Sequence, residues 1–355
     1  MLRRIALAGI LLCVLAPAAR AGVWSRFFAT PRALDRLNAK LKGRVVDYTS
    51  NHDADRRIYS PALDVKRDLY VYLPPCYDPA KPYPLAFFLH GFAFDEQSFL
   101  DFVPDFDRAM ASGQFPPVII AAPDGSIGGR PTLLNAGSFY VNSDAGRFED
   151  YIMDDVWGFV HQNFSIRPER DAHVMIGGSM GGFGAYFLGI KHRDRIGIVA
   201  GIFPPLNVRY IDCHGRYFTN FDPNCYAFRT HVSPFAPVGR YAFGLVKVRQ
   251  RRLIGPLYDG DPHAMERIAQ ANPAEMLENY DLQPGELQMF VAYVGHDAFN
   301  IDAQVDSFLY MARCRGLTVS SVYMPEGRHN TRSAKKLVPS LLAWLGPRIE
   351  QYAPK

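Results

Sequence analysis

The sequence lacks the patterns that mark several large classes of protein. Its 355 residues include only five cysteines, and neither C-x-x-C nor H-x-x-x-H occurs, which disfavours a zinc site. Beyond the N-terminus no stretch is apolar enough for a transmembrane helix, and there are no internal repeats or low-complexity segments. The composition, 48% apolar and 21% charged, is that of a globular chain. We therefore expect one large α/β domain with an insertion, or two domains, with no metal or other cofactor.

The first 21 residues are typical of a signal peptide. Two arginines precede an apolar run over residues 5–16, and an Ala-Arg-Ala sequence ending at Ala21 matches a cleavage site. This segment contains three arginines and no acidic residue, so its removal lowers the formal net charge from +4 to +1. A mature chain over residues 22–355 with so little net charge gives no indication of nucleic-acid binding. We expect an exported protein, periplasmic or secreted, without a stable membrane span.

Apolar runs alternate with helical segments along most of the chain. Predicted strands cover residues 69–75, 85–89, 118–122, 174–176, 196–203, 287–294 and 317–324. Predicted helices cover residues 95–111, 151–160, 185–188, 300–315 and 333–349. This alternation predicts an α/β fold with a mostly parallel central sheet and helices on both faces.

Residues 204–285 interrupt the alternation just before the last strands. The segment is rich in Pro, Arg, Tyr and Asn, and we interpret it as a lid or cap over one edge of the sheet. It contains Cys213 and Cys225, which are close in sequence. In an exported protein a disulfide bond between them is one interpretation, and two buried free thiols are the alternative.

The run Gly177-Gly178-Ser179-Met180-Gly181 matches G-x-S-x-G. An apolar strand precedes it and a helix-compatible run follows, which is the context of a nucleophile elbow. The elbow strains the backbone at the serine so that its hydroxyl stands clear of the sheet, and the flanking glycines permit the close packing. Because the motif alone is common, its interpretation depends on the partners of Ser179.

A serine hydroxyl needs a base within hydrogen-bond reach, and a carboxylate must orient that base. In folds of this kind the order along the chain is serine, acid, histidine. Asp297 follows the predicted strand 287–294, and His329 follows the strand 317–324. The carboxyl ends of parallel strands share one edge, where ligands bind. The sequence therefore predicts a catalytic triad of Ser179, Asp297 and His329.

Two alternatives to this triad are open but disfavoured. Asp302 could replace Asp297, although it falls in the first turn of a helix that Asn300 could cap, where a carboxylate has a simpler explanation. His296 could replace His329 only in an unusual topology, because it precedes the final strand.

A tetrahedral intermediate also needs donors for its oxyanion. We expect one to be the backbone N–H of Met180 and the other that of Phe92, with Ala93 as the neighbour if the register differs. His90 is expected to brace this loop, and Gly91 to let the backbone approach Ser179.

Several segments of the chain resemble the esterase D-like family of the α/β-hydrolase superfamily, which is related to feruloyl esterases and mycolyltransferases. They read LYVYLPP at 69–75, LAFFLHGF at 85–92, GGSMGGFGA at 177–185, GHDAFNIDAQ at 295–304 and PEGRHN at 325–330. The resemblance covers residues 65–203 and 286–348. It implies the α/β-hydrolase fold, ester hydrolysis and the same triad. It also implies that an acidic residue, here Glu149, helps to order the active-site side.

Together these patterns predict an exported serine carboxylic-ester hydrolase that acts through an acyl-enzyme on a small-molecule or glycan-linked ester. An acyltransferase with the same acyl-enzyme and an inactive binding module are the alternatives. The sequence predicts neither the acyl and alcohol specificity nor the oligomeric state. Aromatic residues that could line the pocket are Phe92, Phe94, Tyr140 and Phe299.

Overall fold

The computed structural model describes residues 31–129, 137–241 and 245–355. The expected signal peptide over residues 1–21 lies outside these described residues. Within the described ranges, no helix has both the length and the apolar character needed to cross a membrane.

Within the described residues, the strands form one large sheet and four small two-stranded sheets. In chain order they are β1 (Arg44–Tyr48), β2 (Ile58–Ser60), β3 (Val65–Arg67), β4 (Leu69–Leu73), β5 (Leu85–Leu89), β6 (Ile119–Pro123), β7 (Asn142–Ser143), β8 (Gly146–Arg147), β9 (His173–Gly178), β10 (Ile198–Ile202), β11 (Tyr210–Asp212), β12 (Tyr226–Phe228), β13 (Pro237–Tyr241), β14 (Val246–Arg249), β15 (Gln288–His296) and β16 (Val319–Arg328).

The central sheet has eight strands in the order β1-β4-β6-β5-β9-β10-β15-β16. Strands β1, β4 and β6 pair antiparallel, and every other neighbouring pair is parallel. β6 and β10 are buried at every residue, which means that both faces of the sheet are covered there. Strands of this kind read as continuous apolar runs, which is why the sequence revealed them. The predicted α/β fold with a mostly parallel sheet is confirmed.

Helices connect and cover these strands. In chain order they are α1 (Pro31–Asn38), α2 (Val103–Ala111), α3 (Phe148–Asp150), α4 (Trp157–Asn163), α5 (Met180–Lys191), α6 (Gln250–Tyr258), α7 (Ala264–Ala271), α8 (Pro273–Asn279), α9 (Ile301–Cys314) and α10 (Thr331–Ile349). A π-helical turn over Tyr151–Val156 joins α3 to α4, and 3₁₀ turns cover Glu96–Asp101, Arg170–Ala172 and Glu350–Tyr352.

The single helix predicted over residues 95–111 is wrong. A 3₁₀ turn ends at Asp101, and α2 begins at Val103 with Pro104 in its first turn. Proline lacks the N–H that a continuous helix would require at this position, whereas a first turn leaves that donor unpaired in any case.

Residues 204–285 contribute no strand to the central sheet among the residues described. They form the hairpins β11–β12 and β13–β14, followed by α6, α7 and α8. Cys213 and Cys225 are joined by a disulfide bond beside the first hairpin. A buried polar chain attaches the segment to α9: Asn272 donates to Asn207, and Asn207 donates to Ser307. These hydrogen bonds attach residues 204–285, called the insertion below, to α9 of the α/β body.

Candidate active site

Ser179 occupies the sharp turn between β9 and α5. Its backbone has φ 54° and ψ −120°, a strained conformation for a residue other than glycine. A Cβ at Gly177 would lie 2.1 Å from the backbone of Gly181, and a Cβ at Gly181 would lie 1.9 Å from the Leu89 carbonyl oxygen. Both positions therefore require glycine. The Ser179 N–H donates to the Ile202 carbonyl at 2.8 Å, which fixes the turn against β10.

His329 and Asp297 meet Ser179 at the carboxyl edge of the sheet. Asp297 directly follows β15 and His329 directly follows β16. His329 Nδ1 lies 2.8 Å from Asp297 Oδ2, and His329 Nε2 lies 3.0 Å from Ser179 Oγ. Because a carboxylate only accepts, Nδ1 carries the ring proton and Nε2 is left to accept from the Ser179 hydroxyl. The three predicted residues thus form one hydrogen-bonded chain.

The surroundings of His329 hold its ring in place. The rings of Phe203 and Phe299 lie 5.2 and 5.3 Å from the imidazole, measured between centroids. The side chain of Asp297 is 1% exposed, and its second oxygen accepts from the Phe299 N–H at 2.8 Å. The insertion contributes as well, because the hydroxyl of Tyr217 donates to the Phe299 carbonyl at 2.6 Å.

The two alternative residues lie elsewhere. Asp302 is in the first turn of α9, where burial, and next the charge of Asp297, raise its pKa to about 6. His296 is 61% exposed and faces Glu326 at 3.6 Å. Asn300 occupies the N-cap position of α9, but its side chain makes no capping hydrogen bond and instead donates to the carbonyls of Tyr217 and Thr219 in the insertion.

The loop after β5 lies against Ser179. His90 donates from Nδ1 to the Gly91 carbonyl at 2.9 Å, and its Nε2 accepts from the Gly125 N–H at 2.7 Å. A Cβ at Gly91 would lie 3.7 Å from the Cβ of Ser179, so this loop approaches the serine closely. The His90 side chain therefore connects this loop to the residues that follow β6.

The two residues expected to supply the oxyanion donors lie beside Ser179. Phe92 and Met180 line one cavity together with Ser179. Met180 is the first residue of α5, so its N–H has no acceptor within the helix. These positions suit the stabilisation of negative charge on an oxygen bound next to Ser179.

A buried acidic cluster behind the loop was missed by sequence reasoning. Carboxylate oxygens of Asp68, Glu96 and Asp124 lie within 4.8 Å of one another. Burial, reinforced by the neighbouring carboxylates, raises the pKa of Glu96 well above its usual value, and burial raises that of Asp68 to about 6. Their spacing could hold a cation, although the Arg67 guanidinium already lies 3.8 Å from Asp124. The three residues come from separate segments of the chain, so the only sequence signal for the cluster is that each of them is acidic.

A second group spaced for a metal, Cys213, His214 and Cys225, offers no free thiolate because its cysteines form the disulfide bond.

Glu149 does not approach Ser179. It accepts hydrogen bonds from Lys191 and His192, each at 2.8 Å, at the far end of α5. A helix of 12 residues places that end about 18 Å from the serine. Burial acts to raise the pKa of Glu149, but the hydrogen bonds from His192 and Lys191 outweigh it and lower the pKa. In this structure Glu149 anchors the carboxyl end of the helix that begins at the elbow.

Two cavities meet at Ser179. The insertion pocket, of about 120 Å³, extends under residues 204–285, and its walls from that segment include Val208, Leu253, Ile254, Leu257, Ile268 and Ala271. The α10 pocket, of about 500 Å³, extends along the start of α10, and its walls include Phe88, Asp101, Phe102, Asn330, Arg332 and Val338. Phe92, Ser179 and Phe299 line both pockets, whereas His329 lines only the α10 pocket and Met180 only the insertion pocket.

Of the four aromatic residues expected in the pocket, Phe92, Phe94 and Phe299 line one or both cavities. The expectation for Tyr140 is wrong, because its side chain is fully buried and its hydroxyl donates to the His90 carbonyl at 3.1 Å. Burial raises its pKa well above the usual value. Tyr140 therefore supports the loop after β5 from behind.

A mostly parallel sheet with a serine at a strained strand–helix turn, and an acid and a histidine after the later strands, defines the α/β-hydrolase class. The sequence matches the family described as "Putative esterase" over residues 60–350, which is most of the chain. The chain belongs to this esterase family and is a carboxylic ester hydrolase, in agreement with the resemblance found in the sequence.

Solved structures with the same fold are also similar to this chain. A ferulic acid esterase matches with a TM-score of 0.61 and 17% identity, over 87% of this chain and 100% of that one. An S-formylglutathione hydrolase from Agrobacterium tumefaciens matches with a TM-score of 0.61 and 15% identity, over 87% and 96%. The fluorophosphonate-binding serine hydrolase FphF from Staphylococcus aureus matches with a TM-score of 0.57 and 17% identity, over 85% of this chain and 98% of that one. At these identities the likeness shows the fold.

Proposed function

We propose that the protein is an exported serine carboxylic-ester hydrolase in which Ser179 is the nucleophile. The observation that carries this proposal is the hydrogen-bonded chain from Asp297 through His329 to Ser179, at 2.8 and 3.0 Å. A serine hydroxyl becomes an effective nucleophile only when a base accepts its proton, and this imidazole presents its free nitrogen to the hydroxyl.

In the first half of the reaction, Ser179 Oγ attacks the ester carbonyl carbon while His329 Nε2 takes the hydroxyl proton. The carbonyl oxygen becomes an oxyanion that accepts hydrogen bonds from the N–H groups of Met180 and Phe92. When the intermediate collapses, His329 donates its proton to the departing alkoxide. The products are the free alcohol and an acyl ester of Ser179.

In the second half, His329 takes a proton from a water molecule that attacks the acyl ester. Collapse of this second intermediate returns the proton to Ser179 and releases the carboxylic acid. Asp297 holds the imidazole in one tautomer throughout and stabilises its protonated form. The buried position of Asp297 suits this role, because an electrostatic interaction is stronger away from water.

The segment 204–285 acts in this proposal as a cap that shapes the substrate site. Export is supported by the disulfide bond between Cys213 and Cys225, since such bonds persist in oxidising compartments. Fractionation of the native host, with mass determination of the mature N-terminus, tests both export and cleavage after Ala21. Recovery of the full-length chain in the cytosol would contradict this part.

An acyltransferase would share every step up to the acyl-enzyme. The size of the α10 pocket supports this second candidate, because a cavity of about 500 Å³ could hold an acceptor alcohol in place of water. The ratio of acyl transfer to hydrolysis, measured with and without a sugar acceptor, distinguishes the two. We expect hydrolysis to dominate.

The Ser179→Ala variant tests the proposed nucleophile. We expect kcat on p-nitrophenyl butanoate to fall at least about 10⁴-fold, because loss of a triad member leaves only the binding and oxyanion contributions. Ser321→Ala, an exchange at an exposed serine on β16, is the matched control and should keep wild-type activity. Circular dichroism checks that both variants fold. Retention of ester turnover by folded Ser179→Ala would refute the assignment.

A further inference from the structure

The two cavities at Ser179 differ in size and in chemistry. Among the residues described, those lining the insertion pocket carry no charged side chain, and its walls are mainly Val, Leu, Ile and Phe. The α10 pocket is about four times larger and has Asp101, Asn330 and Arg332 on its walls. An ester has two unlike halves, so the question is which half each pocket receives.

The position of His329 answers this question, given the proposed function. The leaving alkoxide must lie within hydrogen-bond reach of His329 Nε2 to receive its proton. His329 lines the α10 pocket and not the insertion pocket, so the alcohol half extends into the α10 pocket. The oxyanion points to the Met180 and Phe92 N–H groups. The remaining substituent of the tetrahedral carbon, the acyl chain, is then directed into the insertion pocket.

The size of the insertion pocket limits the acyl chain. An apolar cavity of about 150 Å³ can hold one benzene ring. At about 120 Å³, the insertion pocket accepts an acyl group of similar or slightly smaller bulk. Burying an uncharged chain there is favourable, whereas a carboxylate or ammonium group would lose its hydration without a partner.

We infer that the substrate is an ester of a short, uncharged, apolar acid of about four to six carbons with a larger, polar alcohol. This inference rests on the proposed function and specifies the substrate class of the same site. The insertion selects the acid, and the start of α10 receives the alcohol.

A series of p-nitrophenyl esters from acetate to dodecanoate, together with a feruloyl ester, tests the inference because the leaving group stays nearly constant. We expect kcat/KM to rise by up to about fourfold per added methylene from acetate until the pocket is full. It should then fall for decanoate and dodecanoate. A maximum at acetate, at dodecanoate or at the feruloyl ester would overturn the inference.

Leu253 gives a matched pair of variants, because it is partly exposed on α6 and lines the insertion pocket. Leu253→Ala should raise the octanoate-to-butanoate ratio of kcat/KM at least about fivefold, and Leu253→Phe should lower it. Ala334→Leu narrows the α10 pocket instead and should leave this ratio within about twofold. A ratio determined on one preparation is independent of the fraction that folds. Equal ratios in both Leu253 variants would overturn the inference.

Fluorophosphonate labelling of Ser179 in the same wild-type preparation distinguishes a failure of the inferred substrate class from a failure of the proposed function. If Ser179 is labelled but kcat/KM shows a different dependence on acyl chain length, the substrate class is refuted and the proposed function is not. The absence of both labelling and ester turnover refutes the proposed function and the inference with it.

Discussion

The carboxyl edge of the central sheet and the inserted segment 204–285 contribute to the same cavity in different ways. The edge supplies Ser179, Asp297 and His329, each directly after a strand of the sheet; β9 and β15 are largely buried, whereas β16 is a more exposed edge strand paired to β15. The insertion supplies apolar walls and hydrogen bonds, such as that from the Tyr217 hydroxyl to the Phe299 carbonyl, that support the site indirectly. The difference suggests that the reaction depends on the sheet edge, and the choice of substrate on the insertion.

The largest expected effect comes from a substitution in the triad at the sheet edge. We expect Asp297→Asn to lower kcat by about 10⁴-fold, because an amide cannot hold the His329 tautomer that leaves Nε2 free. Initial rates on p-nitrophenyl butanoate measure the effect. Asp302→Asn is the matched control, a carboxylate only five positions away that does not bond to His329, and it should stay within about threefold of wild type. Equal losses in both variants would contradict the assignment of Asp297.

A smaller effect is expected from the insertion. Replacing both Cys213 and Cys225 with serine opens a short loop with a sequence separation of 12. The free energy of unfolding should fall by about 3 kcal/mol at most, as measured by denaturant titration. The preference among acyl chain lengths should weaken while kcat on acetate stays within about fivefold of wild type. If kcat on acetate instead falls as far as in Asp297→Asn, the insertion takes part in the chemistry.

The smallest expected effect is a pH dependence of stability near the site. Burial and Asp297 raise the pKa of Asp302 to about 6, above its usual value of 3.8. The folded protein therefore holds this proton more tightly than the unfolded chain, and stability falls as the pH rises from about 4 to 6. Asp302→Asn removes this loss, so its melting temperature should exceed that of wild type at pH 8 and match it more closely at pH 4.5. A variant less stable than wild type at pH 8 would contradict this account.

The parts of the fold that the sequence revealed are those governed by local pattern and chain order. Inner parallel strands such as β5 and β10 are buried on both faces, so their residues are apolar throughout. The positions of Asp297 and His329 followed from the same logic, because strand ends that share one sheet edge must come together.

The parts that the sequence did not reveal depend on contacts between distant segments. Tyr140 has the aromatic character of a pocket residue, but its hydroxyl bonds to His90, fifty positions away. The side chain of Asn300 is drawn to carbonyls of the insertion instead of capping α9. Glu149 binds the far end of α5 through Lys191 and His192. No periodicity or spacing within one segment encodes such partners.

Labelling with a fluorophosphonate probe, followed by peptide mass spectrometry, tests the central claim most directly. The account predicts a single covalent adduct on Ser179 of the folded wild-type protein. It also predicts that labelling becomes at least about 10³-fold slower in His329→Ala, because the hydroxyl loses its base. An unlabelled Ser179, an adduct on another serine, or equal labelling rates in the two proteins would contradict the claim.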